Sequence, residues 1–367
     1  MKKIKQVGVI IFWLLVITNS HAQDPSFSQF FSSPLTINPA LTANINGKWR
    51  VISNYRNQWS GPGKPFSTGT ISYDSKIFQD VAGNFVDENT RVGIGGMMMY
   101  DESTGGALKS NYASLNATAN IRLMKKEGYE QNGARIRHID KANNDEVAEQ
   151  RLGVGLGLSY GHRRLDLGKL SFGEQFTGTG FDTNLPTGEV ALSGMKPYLS
   201  ASAGLAYSYS KNNTNIDIGV AAFHINTPVQ TFVYDEKQYL ARRYVIHGNL
   251  ETLLSDRIII TMNGVYQKQA GASYFSIGGV VGYYLAGNEI SGDVLLNAGL
   301  WYWSDNAMIP YMGISYGNFQ GAGITPLVLP IPRRISVSSN VLALLAASVS
   351  DDVVISYDMP KIGRAHV

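Results

Sequence analysis

The chain of 367 residues contains no cysteine. That excludes a disulfide framework, a thiolate nucleophile and any thiolate metal site. Long hydrophobic runs are also scarce. The one continuous run lies near the start, roughly 7–17, and about a dozen residues are too few for a spanning helix. Neither charge dominates: 31 Lys and Arg face 28 Asp and Glu, for a net charge of +3 at pH 7. Lys2, Lys3 and Lys5 precede the apolar run and no acid lies in residues 1–22, so the remainder is close to neutral. A neutral chain offers no field to hold nucleic acid. Without staples or spanning helices, the protein must rely on a large core or a closed sheet. If it enters a membrane, it does so as a barrel.

Catalytic patterns are missing too. No GxSxG elbow, HExxH or Walker lysine occurs. Gly153, Gly155 and Gly157 in GVGLGLSYG do not form GxGxxG, and they fall inside a strand pattern rather than at a strand-to-helix turn. The six histidines are scattered, and His162, His224 and His247 have no second ligand at metal spacing. Glu174 and Asp182 flank one loop as a conceivable acid–base pair, but carboxylates on outer loops are common and no catalysis is expected of them. No enzyme activity, cofactor or metal follows from these residues.

What is present begins with an export signal. The basic start, the apolar run and the small residues of Ser20-His21-Ala22 predict cleavage before Gln23, with a retained anchor as the alternative. After that comes strict alternation. In RLGVGLGLSYG (151–161), Leu152, Val154, Leu156, Leu158 and Tyr160 alternate with Arg151, Gly153, Gly155, Gly157, Ser159 and Gly161. Residues 197–209 and 273–285 repeat the pattern, with one apolar face and one small or polar face. Similar segments recur at about 48–56, 66–76, 90–101, 107–123, 214–224, 239–252, 256–267, 290–303 and 306–317, mostly joined by short turns. This predicts an all-β fold, a transmembrane antiparallel meander barrel. A soluble sandwich is the competing reading, and strand length opposes it. Tyr207, Tyr209, Tyr283, Tyr284, Trp301, Tyr302 and Trp303 are expected to form aromatic girdles.

With the amino terminus in the periplasm, odd-to-even connections point outward, and 162–195 and 225–238 are the long ones. The connection 124–149 is long and charged on the other side, either a solvated insertion or a contact for a periplasmic partner. Between Asp24 and Lys48 there is no charge at all. In that stretch, Phe27, Phe30 and Phe31 share one face of a short helical turn, Pro34 stops it, and Asn38-Pro39 sets a turn. This segment (23–47) is expected to fold into the periplasmic mouth of the lumen or against a partner there, with a flexible leader as the alternative. In the outward loop, Phe172, Glu174, Phe176, Phe181, Asp182 and Leu185 are expected to form a lid or a docking face for cargo. Two basic pairs, Arg163-Arg164 and Arg242-Arg243, either order the loops or bind an acidic partner or lipopolysaccharide phosphates.

QDPSFSQFFSSPLTINPALTA followed by VISNYRNQW resembles the start of the PorP/SprF family of Bacteroidota, outer-membrane proteins tied to the type IX secretion system. LDLGKLSFGEQFTGTGFDTNLPTGE, FHINTPVQTF, LARRYVIHG and NAMIPYMGISYGNFQ extend the resemblance in order to about residue 320. The resemblance implies a barrel of about 14 strands in the outer membrane, no enzyme activity and no cofactor. It implies support for secretion and surface attachment of cargo with a C-terminal sorting domain, including motility adhesins in gliding species. Periplasmic ring and peptidoglycan-binding components of the system are the other implied partners. A passive pore or hydrophobic-solute channel is the alternative function. The barrel is expected over 48–360. After Gln320 the resemblance lapses. Residues 321–350 read as an atypical insertion, 351–359 as a strand again, and 361–367 as a non-native tail resembling a translated sequencing adapter. A final strand that would close the barrel is expected to be missing.

Overall fold

The computed structural model describes residues 24, 27, 29–45, 47–58, 66–78, 89–125, 148–186, 195–231, 238–285, 294–304, 307–316, 319–324 and 350–358. The signal, most of the 124–149 connection, the greater part of the 321–350 insertion and the tail 361–367 lie outside these residues.

Fourteen strands among the described residues form one closed antiparallel barrel in meander order. They are β1 (Trp49–Gln58), β2 (Phe66–Ile77), β3 (Thr90–Ser103), β4 (Leu108–Lys125), β5 (Glu149–Leu165), β6 (Tyr198–Lys211) and β7 (Thr214–Phe223). They continue with β8 (Arg243–Ser255), β9 (Ile258–Gln269), β10 (Ala272–Leu285), β11 (Val294–Trp303), β12 (Ala307–Tyr316), β13 (Phe319–Ile324) and β14 (Ser350–Asp358). Most of these strands have ten or more residues. At about 3.3 Å per residue they remain long enough, even tilted, to cross an apolar band of roughly 25 Å.

The expected missing strand is corrected here. β14 pairs with β1 from Arg50↔Asp358 to Gln58↔Ser350, and with β13 from Phe319↔Tyr357 to Ile324↔Asp352. An open seam would leave two rows of backbone amides and carbonyls unpaired, which hydrocarbon does not tolerate. The first residues of the atypical 321–350 segment also belong to a strand, β13.

The end of the barrel where odd-numbered strands begin is its base, and the opposite end its rim. The base turns within the described residues are tight, such as Asn212-Asn213 and Asp256-Arg257. The rim carries the described parts of the longer connections after β5 and β7. The β9–β10 turn at the rim uses Ala270 and Gly271 at positive φ, the geometry of a two-residue hairpin.

Alternation sorts the side chains as the sequence predicts. Leu156, Leu158, Leu199, Leu205, Ile246, Ile277 and Met312 are exposed on the outer wall. Ser200, Ser202, Thr68, Thr70, Ser72 and Asn116 are buried on the lumen side. The girdle expectation is corrected in part. Trp301 and Trp303 share a parity that faces inward: Trp301 is 1% exposed in the internal core, and Trp303 packs on Tyr274, 5.3 Å between centroids. Consecutive strand residues point to opposite faces, so only one parity of the Trp301-Tyr302-Trp303 run reaches the outer wall.

The core itself lies inside the barrel. Phe30 and Ile37 of the N-terminal segment join Ala221, Phe223, Val245, Val265, Val280, Trp301, Ile309 and Tyr311 of the wall. The wall makes room by glycine. A Cβ at Gly155 would strike the backbone of Pro39 and Ala40, and one at Gly204 would strike the Asn38 side chain. Gly155→Val is therefore expected to dislodge the segment while leaving the barrel closed, at a cost of about 1–3 kcal/mol. Limited proteolysis checks this. The 24–47 region becomes cleavable in the variant, and heat-modifiable migration of the barrel on a gel is retained.

Candidate functional site

The N-terminal segment runs through the lumen from rim to base. Its local structure follows from its prolines and asparagine. Phe30–Ser32 is a short 3₁₀ turn, Pro34–Ile37 one turn of α-helix, and Pro39–Leu41 a second 3₁₀ turn. Pro34 does not merely stop the first turn; it opens the next one as its first residue, where the missing N–H costs nothing. Asn38 caps the last turn, its Oδ1 accepting from Ala40 N at 2.8 Å. The Asn38 Nδ2 donates to Leu205 O at 3.0 Å and Val220 O at 3.2 Å, and it lies 3.0 Å from His247 Nε2. One fully buried amide thus ties the NPA turn to β6, β7 and β8.

The single helical face expected for the three phenylalanines is corrected: Phe30 and Phe31 lie in the 3₁₀ turn, and Phe27 stands outside the helical turns. Phe27 and Phe30 are buried. Phe31 stacks on Trp301 with centroids 4.7 Å apart and planes at 16°, and meets Tyr311 edge-on at 5.9 Å. Trp301 Nε1 donates to Asn263 Oδ1 at 2.6 Å, so the indole has both a stacking face and a satisfied N–H.

Two carboxylates pin the ends. At the rim, Asp24 Oδ2 lies 2.7 Å from His224 Nε2 and 3.4 Å from Arg243 Nε. Asp24 N donates to Gln269 Oε1 at 2.9 Å. Arg243 also donates to Thr36 O at 3.1 Å and lies 4.2 Å above the Phe223 ring. Burial pushes the Asp24 carboxyl up, but the Arg243 charge and the His224 contact outweigh it and hold it well below the usual carboxylate range. At the base, Asp74 is 1% exposed. It accepts from Ala43 N at 2.7 Å and from Arg50 Nε and Nη2 at 3.0 and 2.6 Å. Asp74 thereby joins the segment's exit to β1 and β2.

The segment therefore does not stop at the base-side mouth, as the sequence reading expects. It continues inside the barrel to the rim, because its aromatic residues find Trp301 and Tyr311 in the rim half and its only acid finds Arg243 there. Sequence reasoning missed Asp24, Asp74, Arg50, His224, His247 and Trp301 as parts of this arrangement. The signal available was parity: Asp74, Trp301 and Asn263 occupy inward positions of strands whose outward positions are apolar.

The basic pairs divide by the same rule. Arg163 turns inward, its Nε and Nη2 donating to Tyr112 Oη at 2.9 and 2.8 Å, while Arg164 is exposed. Arg243 turns inward, while Arg242 stays outside and donates to Ile225 O at 3.2 Å. Only Arg164 and Arg242 remain open to an outside partner. The rim loop folds on itself: Phe176 and Phe181 form an isolated bridge with ring centroids 5.2 Å apart, and Gln175 Nε2 donates to Leu185 O at 3.0 Å. Both phenylalanines remain more than half exposed, at 54% and 55%. Leu185 and Glu174 are exposed and Phe172 is half-buried, all in one loop. Asp182 Oδ1 is occupied by Asn184 N and Nδ2, both at 3.0 Å, a turn-capping role rather than an acid–base one. Among the described residues no group of three His, Asp or Glu is placed to hold a metal ion.

Removing the rim carboxylate with Asp24→Ala breaks a buried pair and is expected to cost about 3 kcal/mol in urea-induced unfolding in micelles. The sign with pH follows from the depressed value. The Asp24 contribution is full above about pH 4, the ordinary carboxylate range, and is lost as pH falls through the lowered folded value. Acid titration of stability should show this loss in the parent chain and a smaller loss in Asp24→Ala. Trp301→Ala is expected to cost about 3–5 kcal/mol in the same measurement, the usual range for truncating a buried aromatic.

Two solved structures are similar to this chain at low identity. The Ralstonia pickettii toluene transporter TbuX is 9% identical, with 92% of this chain and 95% of that chain covered and a TM-score of 0.40. The Pseudomonas putida toluene transporter TodX is 11% identical, with 91% and 94% covered and a TM-score of 0.43. No curated protein matches the sequence. The family comparison is decisive: a model described as type IX secretion system membrane protein PorP/SprF matches residues 19–324, ending on the last residue of β13. The chain, with its barrel wall and the segment threaded through it, belongs to the PorP/SprF family of type IX secretion system membrane proteins.

Proposed function

We propose that the protein is a non-enzymatic outer-membrane component of the type IX secretion system. In this reading the base faces the periplasm and the rim faces outward. The protein supports secretion and cell-surface attachment of cargo carrying a C-terminal sorting domain, which in a gliding species includes motility adhesins. The observation that carries the reading is the filled lumen. A segment clamped at the rim by His224 and Arg243 and at the base by Asp74 occupies the space an open pore would need. With the interior occupied, the surfaces left for partners are the rim loops and the base.

At the rim, the Phe176–Phe181 hairpin offers exposed aromatic area on a loop held by its own hydrogen bonds. Exposed apolar groups on an ordered loop favour docking of a partner, and Arg164 and Arg242 are exposed cations at the same end of the barrel. The base is the side for periplasmic ring or peptidoglycan-binding components. The opposing reading is a passive channel for hydrophobic solutes. Steady conductance of the purified parent chain in planar bilayers would establish that channel and remove the present proposal; a closed barrel is expected. Deleting residues 24–40 is expected to turn the closed barrel into a conducting one and to abolish partner pull-down from native membranes. The double variant Phe176→Ser/Phe181→Ser should lower cargo retention on the cell surface without lowering barrel abundance. Equal loss of both would assign the pair to folding alone.

A further inference from the structure

The direction in which the N-terminal segment runs determines where its free end goes. Asp24 lies at the rim, on His224, Arg243 and Gln269. Ala43 lies at the base, on Asp74, and Arg50 of β1 meets the same carboxylate. The segment thus crosses the lumen once, and β1 turns back up the wall. The leader is joined by covalent bonds to Asp24, the rim end, and not to the base end. An export leader still held in the inner membrane lies on the base side, given the orientation proposed above. Residues 24–43 cannot fill the lumen while their first residue is tethered behind them.

Charge supports the same path. From Pro25 to Gly47 the chain carries no ionisable side chain, and Asp24 at the tip is the one before it. A chain that must enter a narrow space avoids charges that would lose their hydration on the way. The tip is the exception, and it meets a guanidinium and an imidazole at the far end. Entry is driven by burial of Phe27, Phe30, Leu35 and Ile37, all nearly inaccessible once docked.

We propose that leader removal precedes docking of the segment, and that the amino end created by cleavage is delivered through the barrel to the outer face of the membrane. The proposal rests on the orientation stated under the preceding heading, and the test separates the two. The chain has no cysteine, so each introduced thiol is a unique reporter. Three full-length proteins are made in cells: one with Ser-Gly-Cys inserted between Gln23 and Asp24, one with Thr179→Cys in the rim loop, and one with Asn213→Cys in a base turn. Intact cells are treated with a membrane-impermeant maleimide. The expected result is labelling of the insertion and of Thr179→Cys, with Asn213→Cys labelled only after lysis. Protection of the insertion while Thr179→Cys is labelled would overturn the proposal and leave the orientation standing. Labelling of Asn213→Cys with protection of Thr179→Cys would overturn the orientation, and the surface-exposed end with it. Adding Ala22→Arg to the insertion protein blocks cleavage, and the precursor is expected to stay unlabelled. A labelled precursor would overturn the order of events.

Discussion

Backbone amides and carbonyls that meet hydrocarbon must be paired, and this constraint organises the whole molecule. A closed meander satisfies it, with β1 held between β2 and β14. Closure creates an inside, and the inside cannot be left to chance. Side chains alternate along each strand, so every second residue must suit lipid and every other one must suit whatever fills the lumen. The Gly, Ser, Thr and Ala of the inward parity are therefore as constrained as the Leu, Ile and Val outside. They leave a space shaped for the 24–45 segment.

What fills that space is held by a division of labour between apolar and ionic contacts. Phe30, Phe31 and Ile37 bury area against Trp301, Tyr311 and Val245, which holds the segment without fixing its direction. The buried polar groups fix direction. Asp24 meets Arg243 and His224 at the rim end of its path, Asp74 collects Ala43 and Arg50 at the base, and Asn38 satisfies its amide where β6 and β7 expose the Leu205 and Val220 carbonyls beside His247 of β8. Buried charges are costly unless paired, so a shifted or reversed segment would take the Asp24 carboxylate away from Arg243 and His224. Register thus comes from the polar atoms and most of the affinity from the rings.

Membership in the PorP/SprF family and the segment held inside the barrel are independent observations. The family places the barrel in a secretion system. The filled interior moves attention to the loops and turns at the two ends. The aromatic hairpin at 176–181 stands out there because its backbone is tied down while its rings are not covered. An ordered loop with uncovered rings loses little entropy when a partner covers them.

The strands, their order and the parity of their faces were legible in the sequence, because alternation is a local property of two-residue period. Predicted segments such as 66–76 and 214–224 match β2 and β7 almost to the residue. The aromatic, uncharged character of 24–47 was legible too, and it called for burial. Its destination was not. That Asp24 reaches Arg243 and His224, some two hundred positions along the chain, depends on a barrel wide enough to admit the segment and on which strands face its tip. The split fate of Arg163-Arg164 and Arg242-Arg243 and the inward turn of Trp301 were decided by parity within a closed wall. The seam between β1 and β14 was decided only by closure, since the pairing of the first and last strands has no local signal. Period and composition set the wall; long-range contact between distant strands set what it encloses.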